Sequence, residues 1–350
     1  METDNLIKEL FNLCKRCDLK GMKLLIPKLK NRGLNIKGIR DEYGNTLLHY
    51  AVRGRCMSLV KYLVQLGIDP KSTNVFCITP FHLSAKLGYK DILEYFILLG
   101  VDVNLRNDLG LTPLQYAVSN GHPDVVRYLI DKGGDLQVKD MEGKTLLSLA
   151  VESGNIKIVK LLVETGMDVN EKDETGNMPL HYAVDPEMVD YLIESGANIK
   201  ERNSDGRTVL HLAVLKGNKK LVEHLTKLGL NRCEPDGYGN TPLHYAAREG
   251  YSDLVKYLIE LGCRETKNHV GQTPLHYAVR GGHKDVVEYL IRQGYDPNSQ
   301  DEWGRTPLHY AVLREDSDTI NTLIKYGADP NVKDVDGQTP VDLAASRRKT

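Results

Sequence analysis

Apolar residues along most of the chain recur at the spacing of an amphipathic helix. Val286, Val287 and Leu290, for example, fall on one side of a helix that ends before Gly294. A shorter helix, with small apolar residues such as Ala311, alternates with helices of this kind. The pattern predicts many pairs of short helices separated by turns.

The predicted helix pair recurs at a regular interval along the chain. Thr46 and Thr79 lie in closely similar local sequences. Further copies of that sequence begin at Thr112, Thr145, Met178, Thr208, Thr241, Thr273, Thr306 and Thr339. Such a period indicates a solenoid, because one helix pair is too small to bury its apolar face without neighbours.

The residue types within one copy explain its local structure. Asp301 starts a turn, and Gly304 supplies the positive φ that other residues resist. Thr306 caps the first helix, where Pro307 is tolerated because the first turn needs no N–H group from it. Glycine at the end of a first helix, such as Gly282, stops that helix in the left-handed conformation.

A regular period that carries the signature Thr-Pro-Leu-His-x-Ala resembles the ankyrin family, whose repeat length is about 33 residues. The resemblance implies an all-α solenoid of helix-turn-helix repeats joined by β-turn or hairpin loops. Repeats start near residues 41, 74, 107, 140, 173, 203, 236, 268 and 301. Residues 1–40 are then a degenerate N-terminal capping repeat with two helices, residues 41–333 are nine repeats, and residues 334–350 are a partial C-terminal repeat.

The fifth repeat is three residues shorter than its neighbours. Three residues are nearly one helical turn, so the apolar residues after the deletion stay on nearly the same side of the helix. Asp185 as N-cap and Pro186 in the first turn are expected to start the second helix at once. We hypothesise a change of curvature at this repeat.

Composition and charge limit the cellular locations and the classes of partner that we expect for this protein. Lys plus Arg (46) and Asp plus Glu (47) nearly cancel, so no global field attracts nucleic acid or an anionic membrane. The N-terminus has no secretory signal pattern, and no apolar run approaches the roughly 20 residues of a membrane span. We expect a monomeric, intracellular, cytoplasmic protein without membrane association, although a nuclear location and delivery into a host cell stay open. The six scattered cysteines favour reduced thiols.

The candidate catalytic motifs all have simpler interpretations. Seven histidines occupy the fourth place of the signature, where the resemblance implies a structural role toward the Thr hydroxyl and the turn. Cys14 and Cys17 are one pair without a partner pair, so a buried reduced pair is favoured over a metal site. Val138 stands where a phosphate loop needs glycine ahead of Lys144. We predict no enzymatic activity, no cofactor, no metal and no small-molecule substrate.

The resemblance implies that one or more partner proteins bind the concave side, at the turn tips and the ends of the first helices. In the first half, these positions are apolar: Tyr43, Phe76, Ile78, Leu109, Leu111 and Met141. In the second half they are aromatic and basic: Arg207, Tyr238, Arg248, Arg280, Trp303, Arg305 and Arg314. The alternative for the apolar set is that these side chains only cover neighbouring turns. The alternative for the aromatic and basic set is a charged face that is exposed to solvent and binds no partner.

A second hypothesis is that the N-terminal cap binds nucleic acid or another anionic surface. The stretch from Lys15 to Arg40 holds nine basic residues, and Asp18 is the only acidic residue in that stretch. This is the strongest local charge bias of the chain. We nevertheless expect a protein partner over nucleic acid, because the resemblance to ankyrin repeats implies a protein-recognition module.

Overall fold

A computed structural model describes residues 2–347, and within them the secondary structure is 20 α-helices, two short 3-10 helices and no β-strand. The predicted all-α architecture is therefore confirmed. None of the helices in this part of the chain is long and apolar enough to cross a membrane. The chain forms two compact units, Met1–Asp173 and Glu174–Thr350.

The first unit begins with a helical cap. Its helices are α1 (Glu2–Lys15) and α2 (Leu19–Asn31), followed by a 3-10 turn at Ile36–Gly38. Four helix pairs follow: α3 (Leu47–Arg53) with α4 (Met57–Gln65), α5 (Pro80–Lys86) with α6 (Lys90–Leu98), α7 (Pro113–Ser119) with α8 (Pro123–Asp131), and α9 (Leu146–Glu152) with α10 (Ile156–Glu164). Within this unit, α3 packs on α5, α5 on α7, and α7 on α9.

The second unit continues the same alternation. It contains a 3-10 helix (Pro179–Tyr182) with α11 (Pro186–Glu194), α12 (Val209–Leu215) with α13 (Lys219–Lys227), α14 (Pro242–Glu249) with α15 (Ser252–Glu260), α16 (Pro274–Gly281) with α17 (Lys284–Arg292), α18 (Pro307–Leu313) with α19 (Ser317–Lys325), and α20 (Pro340–Arg347). Residues 348–350 of the predicted partial repeat lie outside the described residues.

The core of each unit is a row of buried aliphatic side chains from both helices of every pair. In the eighth repeat, Leu275, Val286 and Leu290 are buried, and equivalent residues are buried in the other repeats. Burial of one such side chain stabilises the fold by about 1.5–3 kcal/mol. Neighbouring repeats therefore hold one another in place.

The fifth repeat starts its second helix as predicted. The Asp185 carboxylate accepts a hydrogen bond from the Met188 N–H at 2.9 Å, and Pro186 is the first residue of α11. The lost residues come from the first helix, which is reduced to the 3-10 helix Pro179–Tyr182. The hypothesis about curvature stays a prediction.

The cysteines differ from the expectation of reduced thiols, which is wrong for four of the six. The structure joins Cys17 to Cys56 and Cys233 to Cys263, with Cα–Cα distances of 5.7 and 5.6 Å. Both distances lie inside the usual disulfide range of about 4.4–6.8 Å. The partners are far apart in sequence and meet because stacking brings neighbouring repeats together. Cys14 is a buried free thiol, so it does not form a local pair with Cys17.

Candidate protein-binding surface

Each repeat opens with a hairpin whose tip points its side chains away from the helices' core. In the first hairpin, the Asp41 carboxylate accepts hydrogen bonds from the N–H groups of Tyr43 (2.9 Å) and Asn45 (2.7 Å). Gly44 has a φ of 71°, which lets the chain reverse. Because Asp or Asn begins almost every other described hairpin in the same way, the tips form a series of equivalent positions.

Five signature histidines connect a first helix to the next hairpin: His49, His82, His244, His276 and His309. His49 Nδ1 accepts a hydrogen bond from the Thr46 N–H at 3.1 Å, so Nε2 carries the proton and donates to the Ile78 carbonyl at 2.9 Å. Burial lowers the pKa of His49 to about 4, which keeps the imidazole neutral and this tautomer in place. These histidines therefore position the hairpins.

The apolar residues predicted for the first half lie in the first unit, and four of them are well exposed. The exposed fractions are 50% for Tyr43, 59% for Phe76, 44% for Leu109 and 75% for Met141. The rings of Tyr43 and Phe76 stack across adjacent hairpins, with centroids 6.3 Å apart. Ile78 and Leu111 are half-buried behind the tips. We call this set the unit 1 tip surface.

The aromatic residues predicted for the second half also lie at exposed tips, in the second unit. Tyr238 and Trp303 are 55% and 44% exposed. Adjacent hairpins are joined through their backbones, since the Trp303 carbonyl accepts a hydrogen bond from the Val335 N–H at 2.9 Å. Val335 is itself exposed and was not predicted as a site residue, although its place in the last turn could have indicated it.

Three of the five predicted arginines are paired with carboxylates. Arg207 lies 3.0 Å from Asp205 and 3.6 Å from the buried Asp236, measured between nitrogen and oxygen. The Nε atom of Arg305 lies 3.5 Å from a carboxylate oxygen of Asp334. A third pair joins neighbours in sequence, Arg248 and Glu249. Since the carboxylates offset most of this charge, the predicted stripe is less basic than the arginines alone suggest.

Arg280 and Arg314 differ because no carboxylate among the described residues lies within ion-pair distance of either. The Arg280 guanidinium lies 5.8 and 5.6 Å from the ring centroids of Tyr277 and Tyr310. Arg314 donates to the carbonyl of Arg280 at 2.8 Å. Both guanidinium groups are exposed, and we call them, together with Tyr238 and Trp303, the unit 2 surface.

Sequence reasoning did not identify the acidic partners beneath this surface. Tyr245 and Tyr310 donate their hydroxyl hydrogens to Asp236 and Asp301, the first residues of their hairpins. Burial raises the pKa of both tyrosines to about 12. The sequence did contain a signal for these pairs, because in both cases a Tyr follows the first Asp of the hairpin by nine residues.

The signature histidines His244 and His276 are engaged in holding the repeats together. Within the described part of the chain, no group of three or more His, Cys, Asp or Glu side chains is placed to hold a metal ion. Burial lowers the pKa of the signature histidines His244 and His276 to about 4, and each uses both ring nitrogens in structural hydrogen bonds. The exposed side chains of the hairpins include apolar and aromatic residues such as Met141 and Trp303.

Comparison with known families agrees with this geometry. A family model described as ankyrin repeats (3 copies) matches residues 71–140, 136–203, 180–269 and 261–334. A model of the single ankyrin repeat matches residues 43–75. A search of curated proteins found no match.

Proposed function

The chain belongs to the ankyrin repeat family, whose repeats are generally protein–protein interaction modules, and on that premise we propose that it is a non-enzymatic scaffold or adaptor. It binds a partner protein through its hairpin tips and the adjoining ends of its first helices. One or more proteins are the ligands, and no small molecule is transformed.

The exposed apolar residues of the unit 1 tip surface carry this proposal. Tyr43, Phe76, Leu109 and Met141 stand on successive hairpins, at positions where polar residues would form the same turns. A contiguous apolar patch on a protein surface marks an interaction site more often than scattered apolar residues do. The stacked rings of Tyr43 and Phe76 make one part of the patch continuous across two hairpins.

The unit 2 surface supports a partner with acidic and apolar features. Trp, Tyr and Arg are the residues that most often dominate binding energy when a partner excludes water from them. Trp303 and Tyr238 are exposed, and Arg280 and Arg314 have no carboxylate partner among the described residues. A partner carboxylate beside Arg280 would therefore gain a cation that the fold has not already neutralised.

The test is capture of proteins by the immobilised chain, identified by mass spectrometry, with the wild type compared with a Trp303→Ala, Arg280→Ala variant. We expect the variant to bind the captured partner at least about tenfold more weakly, since loss of one anchor residue costs about 2 kcal/mol or more. Its helicity and melting temperature should be unchanged.

Lys220→Ala is the matched control, because it removes an exposed positive charge from α13, outside the unit 2 surface. Equal capture by all three proteins would count against the unit 2 surface. A Tyr43→Ala, Phe76→Ala variant then tests the unit 1 tip surface in the same way, and indifference to both pairs of changes would overturn the proposal.

A second candidate function is binding of an anionic polymer by the cap, favoured by one observation. Lys20, Lys23, Lys28 and Lys30 are exposed on α2, and no carboxylate among residues 2–347 pairs with them. Asp18 is engaged as the N-cap of that helix and accepts a hydrogen bond from the Gly21 N–H at 2.9 Å. The lysine charges are therefore available to phosphate or sulfate groups.

Retention on heparin and on double-stranded DNA tests this second function. If it is correct, retention weakens steeply as salt rises, and a Lys20→Glu, Lys23→Glu, Lys28→Glu variant elutes much earlier. Release of wild type and variant at the same low salt concentration would eliminate it. The exposed Lys157 and Lys160 of α10 provide a control, because their replacement by Glu should change elution little.

A further inference from the structure

Among the described residues, every junction within a unit other than that of the third and fourth repeats has at least one of two kinds of hydrogen bond between a hairpin and its neighbour. The first kind joins backbones at the tips, for example the Val75 N–H to the Tyr43 carbonyl at 3.0 Å and the Glu302 N–H to the Val270 carbonyl at 3.1 Å. The second kind is donated by a signature histidine, as from His276 to the Arg305 carbonyl at 3.1 Å. Together they hold adjacent hairpins side by side.

The third and fourth repeats lack both connections. Among the described residues, no hydrogen bond joins the Met141 N–H to the Leu109 carbonyl, the equivalent of the tip bonds elsewhere. The signature histidine of the third repeat is replaced by Gln115, whose oxygen accepts from the Thr112 N–H at 2.9 Å. Its amide nitrogen is buried and has no acceptor in the described structure. No other junction within either unit lacks both bonds in residues 2–347.

The spacing of the backbones agrees with a looser junction. Gly110 and Gly304 occupy the same place in their hairpins and have φ values of 75° and 70°. A Cβ atom at Gly304 would lie 3.0 Å from the Val335 nitrogen of the next hairpin, whereas a Cβ atom at Gly110 would meet no atom within 4 Å. The hairpin of the fourth repeat therefore stands farther from its predecessor.

A cleft of about 360 Å³ opens at this junction, and we call it the repeat 3–4 cleft. Leu111, Tyr116 and Leu149 supply apolar walls, and Lys86, Asn120 and Asp140 supply polar ones. Its volume is at the lower end of the range of about 300–1,000 Å³ typical of ligand pockets. Leu111 and Asp140 connect it along the chain to the exposed tips Leu109 and Met141.

The charges beside the cleft indicate what chemistry a partner would carry. The exposed carboxylate of Asp108, next to Leu109, has no cationic partner within the described part of the chain. The exposed tip backbone offers the Met141 N–H and the Leu109 carbonyl, which a neighbouring hairpin would otherwise use. An extended peptide can satisfy both groups, as an added strand does at a sheet edge.

We propose that the repeat 3–4 cleft is the binding site for an extended segment of a partner protein. The segment places one large apolar side chain against Leu111 and Leu149 and a basic side chain beside Asp108, and its backbone bonds to the tips of Leu109 and Met141. This inference rests on the proposed function and assigns that function a location and a peptide chemistry.

The probe is a phage library of random dodecapeptides, selected on the immobilised full chain. Enriched peptides should combine Leu, Met or Phe with Lys or Arg, and their affinities are then measured on the purified chain by fluorescence anisotropy. Ser119→Trp places a bulky ring at the rim of the cleft, where Ser119 is exposed, and should weaken binding at least about tenfold. Lys157→Trp on α10 is the matched control and should bind as the wild type does.

Gln115→His tests the structural reason for the cleft. Restoring the histidine should reconnect the third repeat to the fourth hairpin, raise the melting temperature and weaken the selected peptides, whereas a general defect in folding would lower the melting temperature. Asp108→Lys should lower the affinity for peptides that contain Lys or Arg. The loss of affinity should be smaller for peptides in which the basic residue is changed to Glu.

Selection of no peptide, or peptides that bind the Ser119→Trp and Gln115→His variants as tightly as the wild type, would overturn the inference. The proposed function would still stand if protein capture depends on Trp303 and Arg280. Loss of both the peptide and the capture results would instead remove the proposed function itself.

Discussion

The signature histidine shows how one residue type serves two neighbouring repeats. Its Nδ1 accepts from the Thr at the start of its own helix, and its Nε2 donates to the next hairpin, as His309 does with the Gln338 carbonyl at 3.2 Å. Only the neutral imidazole can accept and donate in this way. The bridge therefore depends on protonation.

We predict that acid weakens the fold through these residues. Burial lowers the pKa of His49, His82, His211, His244, His276 and His309 below the ordinary value of 6.5. The unfolded chain then binds more protons than the folded chain below about pH 6.5, so stability falls as pH decreases. For a histidine with a folded pKa near 4, the loss approaches about 1.4 kcal/mol per pH unit between the two pKa values.

Urea unfolding at a series of pH values, from neutral pH down to the folded pKa of these histidines, measures this loss. His276→Gln is the control: it should be less stable than the wild type near neutral pH and should lose less stability on acidification. The same pH dependence in both proteins would contradict the assignment to the buried imidazoles.

Sequence alone identifies Gln115 and Ser148 as departures from the signature histidine. It could not show the cleft beside Gln115. The cleft depends on the distance between two hairpins that are one repeat apart in sequence, and no local pattern encodes that distance. The same limit applies to Asp236, whose burial and pairing with Arg207 arise only after the repeats stack.

At the scale of elements, hairpins differ in how closely they approach one another. Gly206 and Gly110 have nearly the same φ, 73° and 75°. A Cβ atom at Gly206 would lie 2.5 Å from the Gly237 nitrogen, and one at Gly110 would meet no atom within 4 Å. Alanine substitutions at these two positions therefore distinguish the free-energy cost of the left-handed backbone, which both share, from the cost of steric crowding, which only Gly206 has.

We predict that Gly206→Ala destabilises the chain more than Gly110→Ala. Both variants lose about 1–2 kcal/mol by holding alanine in the left-handed region. Only Gly206→Ala must also push the next hairpin away. Thermal unfolding followed by circular dichroism distinguishes the two, and equal losses of stability would contradict the open junction at Gly110.

The helices themselves were largely predictable. Two helices were predicted for residues 1–40, and they lie at Glu2–Lys15 and Leu19–Asn31. The restart of α11 at Pro186 was also predicted. The shortening of its partner to Pro179–Tyr182 was not predicted, since Pro179, Leu180 and His181 of the signature are present and the residues that would complete the helix are missing after them.

At the scale of the whole molecule, two covalent links join neighbouring repeats. Cys17 and Cys56 are separated by 39 residues, and Cys233 and Cys263 by 30. Because both separations are close to one repeat period, the sequence did contain a signal for pairing. A scan for cysteines one period apart would have found it, whereas the search for a compact disulfide framework did not.

We predict that a reductant lowers the melting temperature of the wild type. In the loop-entropy model, closure of a loop of this length stabilises the fold by about 3–4 kcal/mol per disulfide. A variant with Cys17, Cys56, Cys233 and Cys263 changed to Ser should melt at a lower temperature and should not respond to the reductant. Cys77→Ser is the control and should keep the response.

A thiol assay in denaturant gives an independent count. The oxidised wild type should release only the two free thiols of Cys14 and Cys77. Six reactive thiols in protein that was never exposed to a reductant would show that the pairs are not joined.

The link between Cys17 and Cys56 has a mechanical consequence. A solenoid that is pulled from its N-terminus peels away repeat by repeat, because each repeat is held only by its neighbours. With this crosslink intact, the 39 residues of its loop cannot lengthen under load. At about 3.5 Å per extended residue, roughly 140 Å of slack is withheld, and force applied through the cap passes directly to the first repeat.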